Sequence, residues 1–186
     1  MRRLCDVGDH DGAATLAIRG YGPEIFGVLV ADHRSEQDAS DVFSMFSESL
    51  WRSLPTFGWE CTLRTWAYII ARNVSLRLRR DGRRAKGGAP LSEVASRLVE
   101  QVRSETAAHL RTENKNELAR LRESLSAEDQ TLLILRVDKE LTWDELARVL
   151  HDSDEPPDDE ERKKEASRLR KRFQLIKDKL KKRWDP

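Results

Sequence analysis

The stretch TLRTWAYIIARNVSLRLRR, residues 62–80, decides how the first half of this chain folds. Within it Leu63, Trp66, Ile69, Ile70, Val74 and Leu78 recur every three or four residues, which predicts one helix with a single buried stripe. The other face and the C-terminal extension hold Arg72, Asn73, Arg77, Arg79 and Arg80. Just upstream, Pro55 and Gly58 mark a loop. A second helix is expected to begin near Ser35, whose hydroxyl can cap it with Asp38 three residues on, and to bury Val42, Phe43, Phe46 and Leu50. A first helix carries Leu16, Ile18, Ile25, Phe26, Leu29 and Val30, and is interrupted or preceded by the breaker Gly20-Tyr21-Gly22-Pro23.

Downstream, RDGRRAKGGAP at 80–90 is basic, rich in glycine and closed by proline, as an interdomain linker would be. Leu91, Val94, Leu98 and Val102 suggest one amphipathic helix, and Leu110, Leu118, Leu121 and Leu125 another; their polar character leaves open whether they pack. Ser126 with Asp129, and Thr142 with Glu145, read as successive capping boxes. Two short helices follow, about 127–138 with Leu132, Leu133 and Leu135 inside, and 143–151 with Leu146, Ala147, Val149 and Leu150 inside. DSDEPPDDEE at 152–161 reads as an exposed acidic loop. A last helix, about 160–183, buries Ala166, Leu169, Phe173, Ile176 and Leu180. The expected fold is all-α: two small helical domains joined by a flexible linker, with domains at 1–80 and 113–186, the linker at 81–112, and the C-terminal domain a helix-turn-helix.

Charged residues are 36% of the 186 and hydrophobic residues 38%, which suits a helix-rich protein with modest cores. Net charge is only +1, yet it is distributed in blocks. Residues 72–86 hold 7 Lys/Arg against 1 Asp/Glu, and residues 162–186 hold 12 against 3; the acidic stretch 87–161 between them holds 9 against 19. Clustered cations displace counterions from phosphates even when overall charge is near zero, so two polyanion contacts are implied; solvated helix faces explain the blocks about as well. No apolar run reaches the roughly 18 residues of a membrane span, and MRRLCDVGDHDG lacks an apolar signal core, which together predict a cytoplasmic protein without membrane contact. Cys5 and Cys61 sit in no metal-ligand pattern. No phosphate loop, paired-His pattern or nucleophile elbow occurs, so the expectation is a binding protein, not an enzyme, with neither cofactor nor metal.

Short helix, capped turn, short helix and long basic helix is the order of a helix-turn-helix DNA reader, whose last helix enters the major groove. Lys164, Ser167, Arg168, Arg170, Lys171 and Arg172 are the candidate reading residues, because Arg and Lys pair with guanine edges and phosphates. Lys177 to Arg183 would at most reach phosphates. In FGWECTLRTWAYIIARN, 57–73, aromatic and basic residues interleave. That mixture suits single-stranded DNA, with rings stacking on unpaired bases at roughly 1–3 kcal/mol each while arginines hold the backbone. Trp66 falls on the apolar stripe and equally fits a core role, whereas Phe57 and Trp59 lie in the loop.

Residues 35–80 resemble region 2 of the extracytoplasmic-function sigma factors, through DASDVF, LWRSLPTF and above all TLRTWAYIIARN. Residues 121–184 resemble region 4 of the same group, through LTWDELARVL followed by SRLRKRF. Nothing between them resembles region 3. The resemblance implies a subunit that directs core RNA polymerase to promoters. Region 2 would dock on the beta-prime clamp and melt the minus-ten element, and region 4 would sit on the beta flap and read the minus-thirty-five element. By motif position the clamp helix would use Asp38, Asp41, Ser44, Met45 and Glu48. The minus-ten strand would meet Phe57, Trp59, Arg64, Trp66, Arg72, Asn73, Arg77 and Arg80, with Phe57 and Asn73 at a flipped base. The recognition helix would present the six residues named above. Ser44-Met45 stands where the family often has Gln-Glu, Ile69 stands where it often has arginine, and the acidic loop lengthens the turn before the recognition helix. Promoter DNA and core polymerase are the partners implied, with an anti-sigma factor as a further candidate. Two other classes stay open: a freestanding helix-turn-helix regulator, which would bind a duplex operator alone, and a sigma-like antagonist that binds polymerase without reading a promoter.

Overall fold

One helix runs straight through the segment that looked like a breaker. The computed structural model describes residues 1–81, 91–113, 122, 124–153 and 155–184. The glycine-rich segment 82–90 expected to be linker, and Leu118 and Leu121, lie outside them. The described residues form eight α-helices and no strands, an all-α fold as expected. In chain order these are α1 (Arg2–Asp6), α2 (His10–His33), α3 (Glu36–Ser53), α4 (Leu63–Asp81), α5 (Glu93–Glu113), α6 (Ala127–Leu133), α7 (Trp143–Val149) and α8 (Asp159–Trp184).

Helix α2 keeps Pro23 in its interior. A proline there removes one helical hydrogen bond and costs about 3 kcal/mol in an isolated helix. Burial on both sides offsets it: Ile18, Ile25 and Phe26 are wholly inaccessible to solvent. The glycine at 22 has a packing reason. A Cβ there would lie 2.9 Å from Val102 Cγ1 and 3.3 Å from Phe43 Cζ, so Gly22 lets α5 and α3 close on α2. Leu16, expected inside, is exposed instead; the buried stripe passes through Ala13, Ala14, Ala17 and Ile18.

Helix α3 starts where its cap was expected, the Asp38 N–H donating to Ser35 Oγ at 3.2 Å, and it buries Val42, Phe43, Phe46 and Leu50. Phe43 meets Phe26 edge-on at 5.4 Å and joins the α2 and α3 cores. Helix α5 lies inside the span expected to connect the domains, yet it packs along α2. Its buried stripe is Ala95, Leu98, Val99, Val102 and Ala107, while Val94 points outward.

The C-terminal elements follow their caps. Thr142 makes a full capping box with Glu145, each side chain satisfying the other's backbone N–H. Ser126 accepts from the Asp129 N–H at 3.2 Å, but the Asp129 carboxylate is held elsewhere, by Arg172 at 2.7 Å and Lys179 at 3.3 Å. Burial pushes the Asp129 carboxyl up, and those two cations bring it below the usual carboxylate range. Helix α6 runs on into a π-helical stretch, Ile134–Asp138. Leu132, Leu133, Leu135, Leu146, Ala147, Val149, Leu169 and Ile176 close a small core beneath α8. Among its described residues the acidic segment is loop up to Asp158, whose carboxylate caps α8 by accepting from the Glu160 and Glu161 N–H groups, both at 2.8 Å.

Because the Gly22 contact sets how closely α5 approaches α2, Gly22→Leu should overpack the junction and destabilise the fold by about 2 kcal/mol. Urea unfolding checks this, and an unchanged midpoint would mean that α5 does not pack there.

Candidate nucleic-acid interface

Helix α4 carries two polar faces of different kind. With 100° per residue, Trp66, Asn73, Arg77 and Arg80 fall along one side, whereas Arg64, Tyr68, Arg72, Ser75 and Arg79 fall along the opposite side. On the first side Arg77 and Arg80 are exposed and Asn73 and Trp66 are half-buried; no described residue hydrogen-bonds the Asn73 amide. Thr62 starts the helix, its Oγ1 accepting from the Thr65 N–H at 3.0 Å.

Beside that outer face sits a ring cluster. Phe57 lies 4.5 Å from Trp66, nearly parallel, and 4.7 Å from Trp59, so it is the middle member, held between the two indoles. Trp59 has φ of 59°, a left-handed conformation that costs a bulky residue roughly 1–3 kcal/mol. Its ring is covered by the Arg2 guanidinium at 5.2 Å. Arg2 carries no motif and is 57 positions away in sequence, so nothing in the sequence associates it with the cluster.

The inner face is already occupied. Arg64 donates to Glu24 of α2 through Nε at 2.7 Å and through a terminal nitrogen at 2.8 Å, hydrogen bonds that raise the guanidinium above its ordinary value. Arg72 lies 3.5 Å from Asp152 of the acidic loop, and Arg79 lies 2.9 Å from Asp32. Of the eight residues expected at single-stranded DNA, the structure gathers Phe57, Trp59, Trp66, Asn73, Arg77 and Arg80 on or beside the outer face and turns Arg64 and Arg72 inward.

That inner face forms a seam with the C-terminal half. Asp32, only 5% exposed, accepts from Ser75 Oγ at 3.0 Å, from Arg79, and from Thr131 Oγ1 of α6 at 3.1 Å. Since the Ser75 proton goes to this carboxylate, His33 Nε2, 2.6 Å from Ser75 Oγ, donates to the serine. A second carboxylate bridges two helix starts: Thr65 of α4 donates to Glu145 Oε1 at 2.9 Å while the Thr142 N–H donates to Oε2 at 2.8 Å. Burial pushes the Glu145 carboxyl up, and these hydrogen bonds bring it below the usual range. Arg34, itself at φ of 54°, donates to the Leu125 carbonyl.

On α8, Lys164, Ser167, Arg168 and Lys171 are exposed opposite the buried stripe. Arg168 is tied to Glu165 at 2.8 Å. Arg170 stands 5.7 Å over the Trp143 ring, and Arg172 is drawn to Glu128 and Asp129. Four of the six expected reading residues therefore share one open face, and the other two flank it. On α3, Asp38, Asp41, Ser44, Met45 and Glu48 are all half-buried, with Asp41 accepting from Gln37 and the Ser44 hydroxyl donating to the Ser40 carbonyl. Cys5 and Cys61 are free thiols, and no group of three or more His, Cys, Asp or Glu among the described residues is placed to hold a metal. No helix among them is long and apolar enough to cross a membrane.

Residues 17–85 match the family model described as Sigma-70 region 2. The chain thus carries a sigma-70 region 2 domain spanning most of α2, α3 and α4, which supports a sigma factor and indicates a role in promoter recognition with RNA polymerase. Sigma factors are non-enzymatic initiation factors, so the domain points to a non-enzyme. No curated protein and no solved structure matches the chain.

Burial holds the His33 imidazole below its ordinary value of about 6.5, with Asp32 acting against burial and Arg79 reinforcing it. A lowered histidine contributes stability that is complete above about pH 6.5 and is lost as pH falls toward the folded value, because the unfolded chain takes the proton first. Stability should therefore decline on acidification below about pH 6.5. His33→Gln, which keeps a donor to Ser75, should flatten that slope between about pH 6.5 and 5. Identical slopes for the two proteins in denaturant titrations would remove His33 from the account.

Proposed function

We propose that this chain is a sigma factor of the extracytoplasmic-function group, acting in the cytoplasm with core RNA polymerase. The observation that carries the reading is the region 2 match combined with the outer face of α4. There a ring cluster, a half-buried amide and two exposed arginines lie side by side within the matched residues. Bases unstacked from a duplex gain stacking surface on Trp59 and Trp66. Asn73 offers both a donor and an acceptor to a base edge, and Arg77 and Arg80 follow the backbone. Phe57, enclosed by two indoles, supports the platform more than it receives a base. Arg64 and Arg72 serve the packing of α4 and reach DNA only if their carboxylate partners release them.

In the C-terminal half, α6, α7 and α8 act as a helix-turn-helix for the minus-thirty-five element. Lys164, Ser167, Arg168 and Lys171 face the major groove, Arg170 is steadied by Trp143, and Arg172 anchors the helix to α6. The extracytoplasmic-function assignment rests on the two modules with nothing like region 3 between them. Helix α3, through Asp38, Asp41, Ser44, Met45 and Glu48, is the surface for the beta-prime clamp, and the C-terminal half is the part for the beta flap. An anti-sigma factor is a further candidate partner. The two promoter elements lie about 25 base pairs apart, roughly 85 Å along the duplex. A chain whose halves touch through Asp32 and Thr131 cannot span that length, so promoter engagement requires the seam to open.

In vitro transcription with core polymerase over a promoter library tests the proposal. Wild-type protein should yield promoter-specific transcripts. Arg168→Ala should weaken binding of the upstream duplex by about 1–3 kcal/mol. Asn73→Ala should reduce open-complex formation while leaving duplex affinity nearly unchanged. Normal transcription by both variants would contradict the residue assignments, and no transcript from any template would turn the reading to a polymerase-binding antagonist.

A further inference from the structure

The seam holds a half-open groove of about 80 Å³ lined by residues from both halves, among them Arg72 of α4, Arg168 and Arg172 of α8, and Thr131. Its walls include Leu132, Leu150 and Leu169, a setting in which charge–charge interactions are less screened than in bulk water. Arg72 is the most enclosed of the three arginines. Its side chain is 13% exposed, and its Nε is buried without a hydrogen-bond partner. A buried donor left in this state is the kind of group that a ligand completes.

Two of the acids nearby are poor competitors. Asp152 reaches Arg72 only at 3.5 Å and is 76% exposed, and Glu128 on Arg172 is 60% exposed. Exposed partners of this kind contribute little and can swing aside. Glu165 and Asp129, just outside the lining, also hold Arg168 and Arg172, so the grip rests on the N–H donors that those two guanidiniums keep free and on the unpaired Arg72 Nε. Guanidinium groups also match the oxygens of a tetrahedral oxyanion through paired N–H donors.

We propose that this groove binds a phosphate group, gripped by Arg72 from one half of the chain and by Arg168 and Arg172 from the other. A ligand held in this way touches both halves only while they are packed, so its binding favours the closed arrangement by mass action. If the chain engages promoters as proposed above, the ligand opposes engagement of both elements at once; binding itself does not depend on that reading.

The free full-length chain is titrated with inorganic phosphate and with pyrophosphate at constant ionic strength, followed by calorimetry and phosphorus NMR. Saturable binding of one equivalent is expected, tightest for pyrophosphate. Arg72→Gln and Arg168→Gln should each weaken it about tenfold, the loss of one charge-assisted contact. Asp152→Asn should strengthen it several-fold by removing the competing acid. Arg168 is 54% exposed, so its variant keeps the test decisive even if Arg72→Gln fails to fold. A short DNA duplex that competes with phosphate in wild type but not in Arg168→Gln identifies the nucleic-acid backbone as the source of the phosphate; absence of competition identifies a free phosphorylated small molecule. No saturable binding, or equal affinity in wild type and all variants, overturns the proposal.

Discussion

The arrangement turns on the Asp32 carboxylate, placed where a core residue would stand. It is 5% exposed, accepts from Ser75 of α4 and Thr131 of α6, and pairs with Arg79 of α4, which also donates to the Asp32 carbonyl. A buried carboxylate with its donors removed costs several kcal/mol, so the group is stable here only while all three helices keep their positions. That makes the end of α2 the point at which the orientation of α4 and the docking of the C-terminal half are set together. His33 extends the same chain of hydrogen bonds, which is why protonation of one imidazole bears on it.

From this constraint the division of α4 follows. One face must serve the seam, and its arginines are spent on Glu24, Asp32 and Asp152. The opposite face is left with an amide, two free-standing arginines and the ring cluster, held in place at the cost of a strained Trp59 backbone. Strain at a half-buried aromatic residue is the kind of feature found where a surface is shaped for a ligand.

Much of this was legible in the sequence because it depends on periodicity and caps. The α3 start at Ser35, the Thr142–Glu145 box and the stripe of α8 are local signals, and the structure bears them out; the α4 stripe holds only at Leu63 and Val74, because its buried line runs through Ala67, Tyr68 and Ala71 and leaves Trp66, Ile69 and Ile70 half-buried. Gly22-Pro23 misled because both residues punctuate helices when isolated, whereas here the glycine admits Val102 and burial offsets the proline. The inward turn of Arg64 and Arg72 was not legible, since it depends on Glu24 and Asp152, 40 and 80 positions away. Arg2 over Trp59 is of the same kind. Asp32 did leave a trace: it falls on the apolar spacing of Ile25, Val28 and Leu29, where a charge signals a buried partner.

The direct test of the account is the distance between the halves, followed by spin labels on α5 and α8, at Arg97 and Gln174, in a background with Cys5 and Cys61 replaced by serine. The free chain should give one short, narrow distance distribution, and promoter-bound core polymerase should move it outward by tens of ångströms, as expected for elements roughly 85 Å apart. A distance that stays short in an active promoter complex would contradict the claim that the Asp32 seam is a closed state that opens for promoter recognition.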